Sequence, residues 1–329
     1  MRRQASSGVI LILLASTFFG VCGPFAKVLI EAGLSPVEVT WLRVCGTGLI
    51  LWLAAIPSIR NLVRQRRSRP AEPLPIRGMV GFGLAAIAGV QAFYFLAVSR
   101  LPVGVALLLE FTGPILVVLW IRWVRRTRLP RAAVIGAVLS LAGLAFVVEV
   151  WAGLRLDSLG LLAGAAAAAC QAAYFLVGEN LSSRVPTPVL LSVGFAIGTV
   201  ALAPLSQPWS MDWNVLTQRV DLGGATFAAH AVLIALVIST VLAYACGLPA
   251  LRRLSAAIAG GMAYTEVVVA AIAAWILLGE RLSPPQMVGG VLVIIGVFTA
   301  QRAVAARQSQ ASEPHPVDAA ASASLPDPG

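Results

Sequence analysis

Charge is scarce in this 329-residue chain. Asp, Glu, Lys and Arg make up 12% of it, about half the ~25% of an average soluble domain. Lysine is almost missing: Lys27 stands beside 23 Arg among the 24 basic residues. There are two histidines, His230 and His315, so a His-rich metal site is not expected. The four cysteines (Cys22, Cys45, Cys170, Cys246) each lie alone in an apolar stretch, with no CxxC or other metal spacing. They read as small packing residues, and a disulfide scaffold is excluded. No HExxH, P-loop or nucleotide-binding glycine loop occurs, and no His pairs with a nucleophile. The expectation is therefore no enzyme, no cofactor, no metal and no ATP-driven pump.

What the chain has instead is apolar surface. Hydrophobic residues make up 59% of it, and the mean hydropathy is +0.88. A soluble protein of this size must show water a large surface, which so few polar residues cannot cover. The main solvent is lipid. The net charge of +10 does not point to nucleic acid, because the Arg residues sit in short runs between apolar stretches.

A bilayer-crossing helix needs about 20 apolar residues, within a range of about 17–25. Ten segments qualify: 9–29, 37–56, 78–98, 103–121, 133–151, 159–178, 188–204, 226–247, 255–278 and 286–304. The fold class expected is an all-α integral membrane protein with ten transmembrane helices. Arg2 and Arg3 before an apolar run mimic a signal peptide, but the run reaches Ile30, so it reads as a retained first helix. Residues 205–225 read as an interfacial loop carrying Trp209 and Trp213, and 305–329, rich in Ala, Ser and Pro, as a disordered tail.

The Arg placement orients these spans. With residues 1–8 in the cytoplasm, 18 Arg fall inside: Arg2 and Arg3, six over 60–77, five over 122–131, Arg184, Arg252 and Arg253, Arg302 and Arg307. Four fall outside: Arg100, Arg155, Arg219 and Arg281. This asymmetry predicts a multi-pass protein of the cytoplasmic (inner) membrane with both termini in the cytoplasm.

A shift of 153 residues superposes the second half on the first. Arg100-Leu101 falls on Arg253-Leu254, Thr112 on Thr265, and Arg128-Leu129 on Arg281-Leu282. Gly136, Val138-Leu139 and Gly143 fall on Gly289, Val291-Leu292 and Gly296. The chain thus reads as two five-helix repeats, 9–151 and 159–304, joined by an outer connector at 152–158. Five is odd, so the second repeat enters the membrane inverted. Inverted repeats place a binding site near the midplane and give two alternating access states. The run Gly104-Val-Ala-Leu-Leu-Leu-Glu-Phe-Thr-Gly-Pro114, with Thr265-Glu266, Leu278-Gly279-Glu280-Arg-Leu-Ser283 and Gly289 through Gly296, resembles the ten-helix EamA-type members of the drug/metabolite transporter superfamily. The Leu-Glu-Phe-Thr-Gly-Pro run is similar to the threonine/homoserine exporter branch. The resemblance implies a secondary transporter that exports small metabolites such as amino acids. Efflux of lipophilic cations is an alternative, and an intramembrane enzyme acting on lipid or peptide is a third from another class. The partners expected are the lipid bilayer and a small-molecule substrate, with a coupled proton as an option; the oligomeric state stays open.

Charges inside spans are costly, at least ~2.5–3.5 kcal/mol each at the bilayer centre, and so are candidates for function. Glu266 lies about 16 Å deep in span 9 and is suited to a substrate ammonium or a proton. Glu110 lies about 10 Å into span 4, and Pro114, lacking an N–H, frees the Glu110 carbonyl and predicts a kink. Arg43 in span 2 can grip a carboxylate bidentately, or pair with Glu110 or Glu266. For each carboxylate the plain alternative is a structural group satisfied by a neighbouring helix. Lys27, near the outer end of span 1, is either a wanted ammonium or a snorkelling side chain. Gly20, Gly23 and Pro24 break span 1. Gln91, Tyr94, Gln171, Tyr174, Tyr264 and the repeat-matched Thr265 are polar groups suited to lining a pore. Glu149 and Glu179 sit at span ends, where solvation is expected, and Gly160-x-x-x-Gly164 predicts close helix packing.

Overall fold

The computed structural model describes residues 2–68, 75–124, 126, 130–149, 156–182, 184–253 and 264–312. These residues are mostly helical. The first apolar segment forms α1 (Arg2–Gly20) and α2 (Cys22–Glu31), separated at Val21 beside the Gly20, Gly23 and Pro24 breakers. Then come α3 (Pro36–Ser68), α4 (Ile76–Phe82), a π-helical turn (Gly83–Gly89) and α5 (Val90–Val98). Span 4 is split into α6 (Val103–Glu110) and α7 (Gly113–Trp123), where Pro114 sits in the first turn of α7. The remaining elements are α8 (Arg131–Val148), α9 (Ser158–Ser182), α10 (Thr187–Ser206), α11 (Ala229–Arg253), α12 (Thr265–Leu278) and α13 (Pro284–Ser312). Five helices among the described residues are long and apolar enough to cross a membrane, over 7–31, 36–64, 76–98, 187–206 and 229–247. Of five shorter apolar helices, three lie between the third and fourth of these in the chain, over 103–117, 131–147 and 158–174, and two follow the fifth, over 265–278 and 284–300. Large apolar side chains such as Leu49, Trp123, Ile135, Leu162 and Val200 are exposed on the outside of the bundle, where a soluble protein would carry polar ones. This is a multi-pass membrane protein.

Four sequence expectations need correction. The loop 205–225 is not without structure: α10 runs to Ser206, and a 3-10 turn (Trp213–Thr217) leads into a hairpin of β1 (Arg219–Leu222) and β2 (Ala225–Ala228). The fold is therefore not purely helical, and the helix that follows the hairpin begins at Ala229. Gly223 and Gly224 close the hairpin with φ of +66° and +83°, the two left-handed residues that a tight primed turn requires. The Gly223 N–H donates to the Leu277 carbonyl at 3.0 Å, satisfying an orphan acceptor in the last turn of α12. Residues 305–312 belong to α13 rather than to a tail, because Ala, Gln and Arg are good helix formers even where hydropathy is low; 313–329 lie outside the described residues. Glu149 is not simply solvated. It takes a left-handed C-cap conformation (φ 52°) and accepts a hydrogen bond from the Ser283 hydroxyl. The first part of span 9 (254–263) and most of the connector 152–158 lie outside the described residues.

Helix starts at one end of the bundle are set by local capping. Ser35 and Glu38 form a reciprocal box at the start of α3, with the Ser35 N–H on Glu38 at 2.6 Å and the Glu38 N–H on Ser35 at 3.2 Å. Ser283 and Gln286 repeat it at α13, at 3.0 and 3.3 Å. Asp157 caps α9 by accepting from the Gly160 N–H at 2.7 Å.

The closest helix pairing joins α8 and α13. A Cβ on Gly136 would lie 2.5 Å from the Gly296 carbonyl oxygen, and one on Gly143 would lie 2.7 Å from that of Gly289. The register falls along one helix as it rises along the other, so the pair is antiparallel. The backbones touch, and the Ser140 hydroxyl donates across to the Val293 carbonyl at 3.2 Å. The Gly160-x-x-x-Gly164 stripe also packs within the chain, against Leu101 and Leu109.

Candidate functional site

A cavity of about 210 Å3 lies among α1, α2, α3, α5, α6, α9, α11 and α12. Its polar wall is Arg43, Gln91, Tyr94, Glu110, Gln171, Tyr174, Tyr244 and Glu266; Phe19, Phe111, Leu107, Val90, Ala86 and Cys22 form the rest. Both carboxylates sit at helix ends. Glu110 is the last residue of α6, just before the Phe111-Thr112 interruption, and Glu266 lies in the first turn of α12. The π-helical turn carries Ala86 to the lining and re-aims the residues after it, including Val90, Gln91 and Tyr94.

Each charged group has its own environment. Glu110 is buried, and one of its oxygens accepts from Gln171 Nε2 at 3.0 Å. Arg43 is buried; its Nε donates to Thr240 Oγ1 at 2.9 Å, and its guanidinium carbon lies 5.1 Å from the centre of the Phe95 ring. The ion pairs among the described residues are Lys27 with Glu280 and Arg100 with Asp157, so Arg43 is held by a hydroxyl and a ring rather than by a carboxylate. Cys22 Sγ lies 3.5 Å from the same Thr240 hydroxyl. Tyr244 packs edge-on against Phe19, with ring centres 5.2 Å apart. Glycines let helices approach here: a Cβ on Gly20 would meet the Glu266 carbonyl oxygen at 3.0 Å, and one on Gly23 would meet the Tyr94 hydroxyl at 2.5 Å.

Among the residues singled out from sequence, the fold brings Glu266, Glu110, Arg43, Gln91, Tyr94, Gln171 and Tyr174 to one cavity. Tyr264 and Thr265 are not part of its lining. Tyr264 is buried with its ring 5.4 Å from that of Phe111, and so supports the wall from behind. Phe19, Cys22, Phe111 and Tyr244 escaped notice, because aromatic and Cys residues in apolar helices carry no mark that separates lining from packing. Lys27 does not line the cavity. It pairs with Glu280 and donates to the Leu101 carbonyl at 3.3 Å, while Glu280 also accepts from the Val103 N–H at 2.8 Å. Val103 packs on Gly23, and Gly23 on Tyr94, so this cluster is joined by packing to the cavity wall.

Comparison with known proteins places this geometry in a family. The threonine/homoserine exporter RhtA of Salmonella typhimurium (strain SL1344) is 29% identical over 211 residues, which are 63% of this chain and 64% of that exporter. The match thus spans under two thirds of that relative's length. The aromatic amino acid exporter YddG of Ancylobacter novellus is 32% identical over 131 residues, 37% of this chain and 43% of that protein. A solved crystal structure shares the fold with a TM-score of 0.58 at 22% identity, covering 92% of this chain and 99% of that one. The model of the EamA-like transporter family matches twice in tandem, over 6–149 and 158–300. Residues of both matched segments line the cavity, as a transporter built from two repeats requires: the chain belongs to the EamA-like transporter family.

Proposed function

We propose that this protein is a secondary transporter that exports small zwitterionic metabolites, amino acids of the threonine/homoserine kind, across the inner membrane by alternating access. The observation that carries this reading is the cavity between the two repeats, with Glu110 and Glu266 offering negative charge and Arg43 positive charge. Glu110 and Glu266 would face the substrate ammonium, and Arg43 the carboxylate. The ten-span reading is supported by five long and five shorter apolar helices in the expected order, and the inverted repeat by the antiparallel, glycine-to-glycine pairing of α8 with its repeat equivalent α13. The Arg asymmetry supports an orientation with both termini in the cytoplasm. In that orientation the Lys27–Glu280–Val103 cluster closes the outer end, and loosening it is the step that admits the outside. Two names among the relatives, threonine/homoserine exporter and aromatic amino acid exporter, agree with an amino-acid substrate.

A second reading, efflux of lipophilic cations, is favoured by the aromatic share of the lining: Phe19, Tyr94, Phe111, Tyr174 and Tyr244. Overexpression decides between them. Raised tolerance to excess homoserine and faster efflux of labelled threonine from preloaded cells are expected; tolerance raised for quaternary amines and dyes alone replaces export of amino acids with efflux of cations.

A further inference from the structure

Arg43 supplies the positive charge of the cavity lining, and its aim is fixed from two sides. The Phe95 ring lies against the guanidinium, whose carbon is 5.1 Å from the ring centre. The Arg43 Nε donates to the Thr240 hydroxyl at 2.9 Å. That hydroxyl gives its own proton to the Leu236 carbonyl at 2.8 Å, so towards Arg43 it only accepts. Thr240 is 0% exposed and stands outside the lining, so it acts through Arg43 and not on a ligand. Gly46 lets α3 and α11 close up beside this bond: a Cβ there would sit 3.0 Å from Val237. With Nε taken, the side-on fork of Nε and one Nη is occupied, and the end-on pair of Nη1 and Nη2 remains. Among the described residues neither Nη has a hydrogen-bond partner, yet neither belongs to the fully enclosed unpartnered atoms. Both are therefore on the accessible part of a side chain that lines the cavity.

We propose that Thr240 is a positioning residue for substrate selection: by holding Nε it presents the Nη edge of Arg43 to the cavity and makes the site prefer ligands that carry a carboxylate. A carboxylate then docks end-on, with one oxygen on each Nη. Without the Thr240 acceptor, Nε becomes a free donor, the guanidinium turns about its stem, and the side-on and end-on forks compete for the same ligand. The two groups come from different repeats, Arg43 from the segment 6–149 and Thr240 from 158–300. One repeat thus aims the group with which the other grips. The inference rests on the reading of Arg43 as the carboxylate-binding group of the transport site, and names what makes that group selective.

The test uses the full chain in lipid nanodiscs, with binding read by calorimetry. The probes are L-homoserine, 3-aminopropan-1-ol, which lacks its carboxylate, and 4-hydroxybutyrate, which lacks its amine. Thr240→Val keeps the shape and removes the acceptor. It is expected to weaken each carboxylate probe that binds the wild type at least about tenfold, and to leave 3-aminopropan-1-ol within about twofold. Thr240→Ser keeps the hydroxyl and is expected to restore the wild-type preference; Thr240→Ala replaces the valine variant where that fails to fold. A role in packing alone would be disturbed more by Ser, which loses the methyl, than by Val. Affinity that follows side-chain volume rather than the hydroxyl therefore overturns the proposal. So does an equal loss for all three probes, an unchanged affinity in Thr240→Val, or a wild type that binds neither carboxylate probe. 4-Hydroxybutyrate bound and sensitive to Thr240→Val, with homoserine unbound, would uphold the positioning role and remove the amino-acid reading alone.

Discussion

Two pairs of repeat-equivalent helices behave in opposite ways. In α8 and α13 the matched glycines, Gly136 with Gly289 and Gly143 with Gly296, lie in the middle of unbroken helices and bring the two backbones into contact. In the other pair the matched residues, Thr112 and Thr265, mark the starts of helices: Thr112 directly precedes α7, its hydroxyl donating back to the Leu109 carbonyl at 2.6 Å, and Thr265 opens α12. The first pair makes a seam with no space for a ligand. The second leaves a carboxylate beside each helix start and a cavity between them. The same repeat is thus used once to weld the halves and once to leave them apart, and the difference lies in where small residues fall relative to helix breakers.

The comparison is broken most severely at the seam. Gly296→Val puts a branched side chain where even a Cβ would sit 2.6 Å from the Gly136 carbonyl oxygen. Overpacking beyond about 3 kcal/mol is expected, seen as loss of a monodisperse peak on size exclusion in detergent; a stable, active variant would show that the seam can open. Glu266→Gln acts on the other pair. It is expected to leave the amount of protein in the membrane unchanged and to lower transport at least ~10-fold, ~1.4 kcal/mol of lost stabilisation. Vesicle assays of wild type and variant across external pH check this; equal rates with the same pH dependence would leave Glu110 as the acidic group of the mechanism.

Smaller effects sharpen the comparison. Lys27→Met removes the ion pair with Glu280 but leaves Glu280 on the Val103 N–H. A loss of about 1 kcal/mol is expected, together with several-fold faster labelling of Cys22 by an impermeant maleimide added outside, measured with Cys22 as the single cysteine. Unchanged labelling would separate this cluster from access to the cavity. Gly224→Asn is the mildest. Gly224 is needed for its φ of +83° and not for space, as nothing lies within 4 Å of a Cβ there. Asn tolerates that conformation, so the midpoint of thermal unfolding should shift by no more than about 0.5 kcal/mol allows. Gly224→Asn and Gly296→Val together contrast a glycine kept for conformation with one kept for contact.

Some of this was open to inspection in the chain itself. Glu110, Glu266, Arg43, Gln91 and Tyr94 stand out because a polar group in an apolar span is rare and costly. The breaks near Gly20 and Pro114 follow from the missing proline N–H. The hairpin carried a signal in Gly223-Gly224, overlooked because its two four-residue strands are short and partly polar. Tyr244 and Phe19 carried none, since a ring in an apolar helix reads alike whether it faces lipid, a neighbour or a cavity.

By itself the sequence determined the solvent, the helical segments, the two repeats and the sites of breakage. These depend on composition, period and single-residue backbone chemistry, which act within a few residues. Tertiary structure alone decided which groups meet: Lys27 with Glu280 across 253 residues, Ser283 with Glu149 across 134, Arg43 with Thr240 across 197. Such pairs depend on how helices rotate and cross when glycine stripes lock together, and that geometry comes from the packing of the whole bundle.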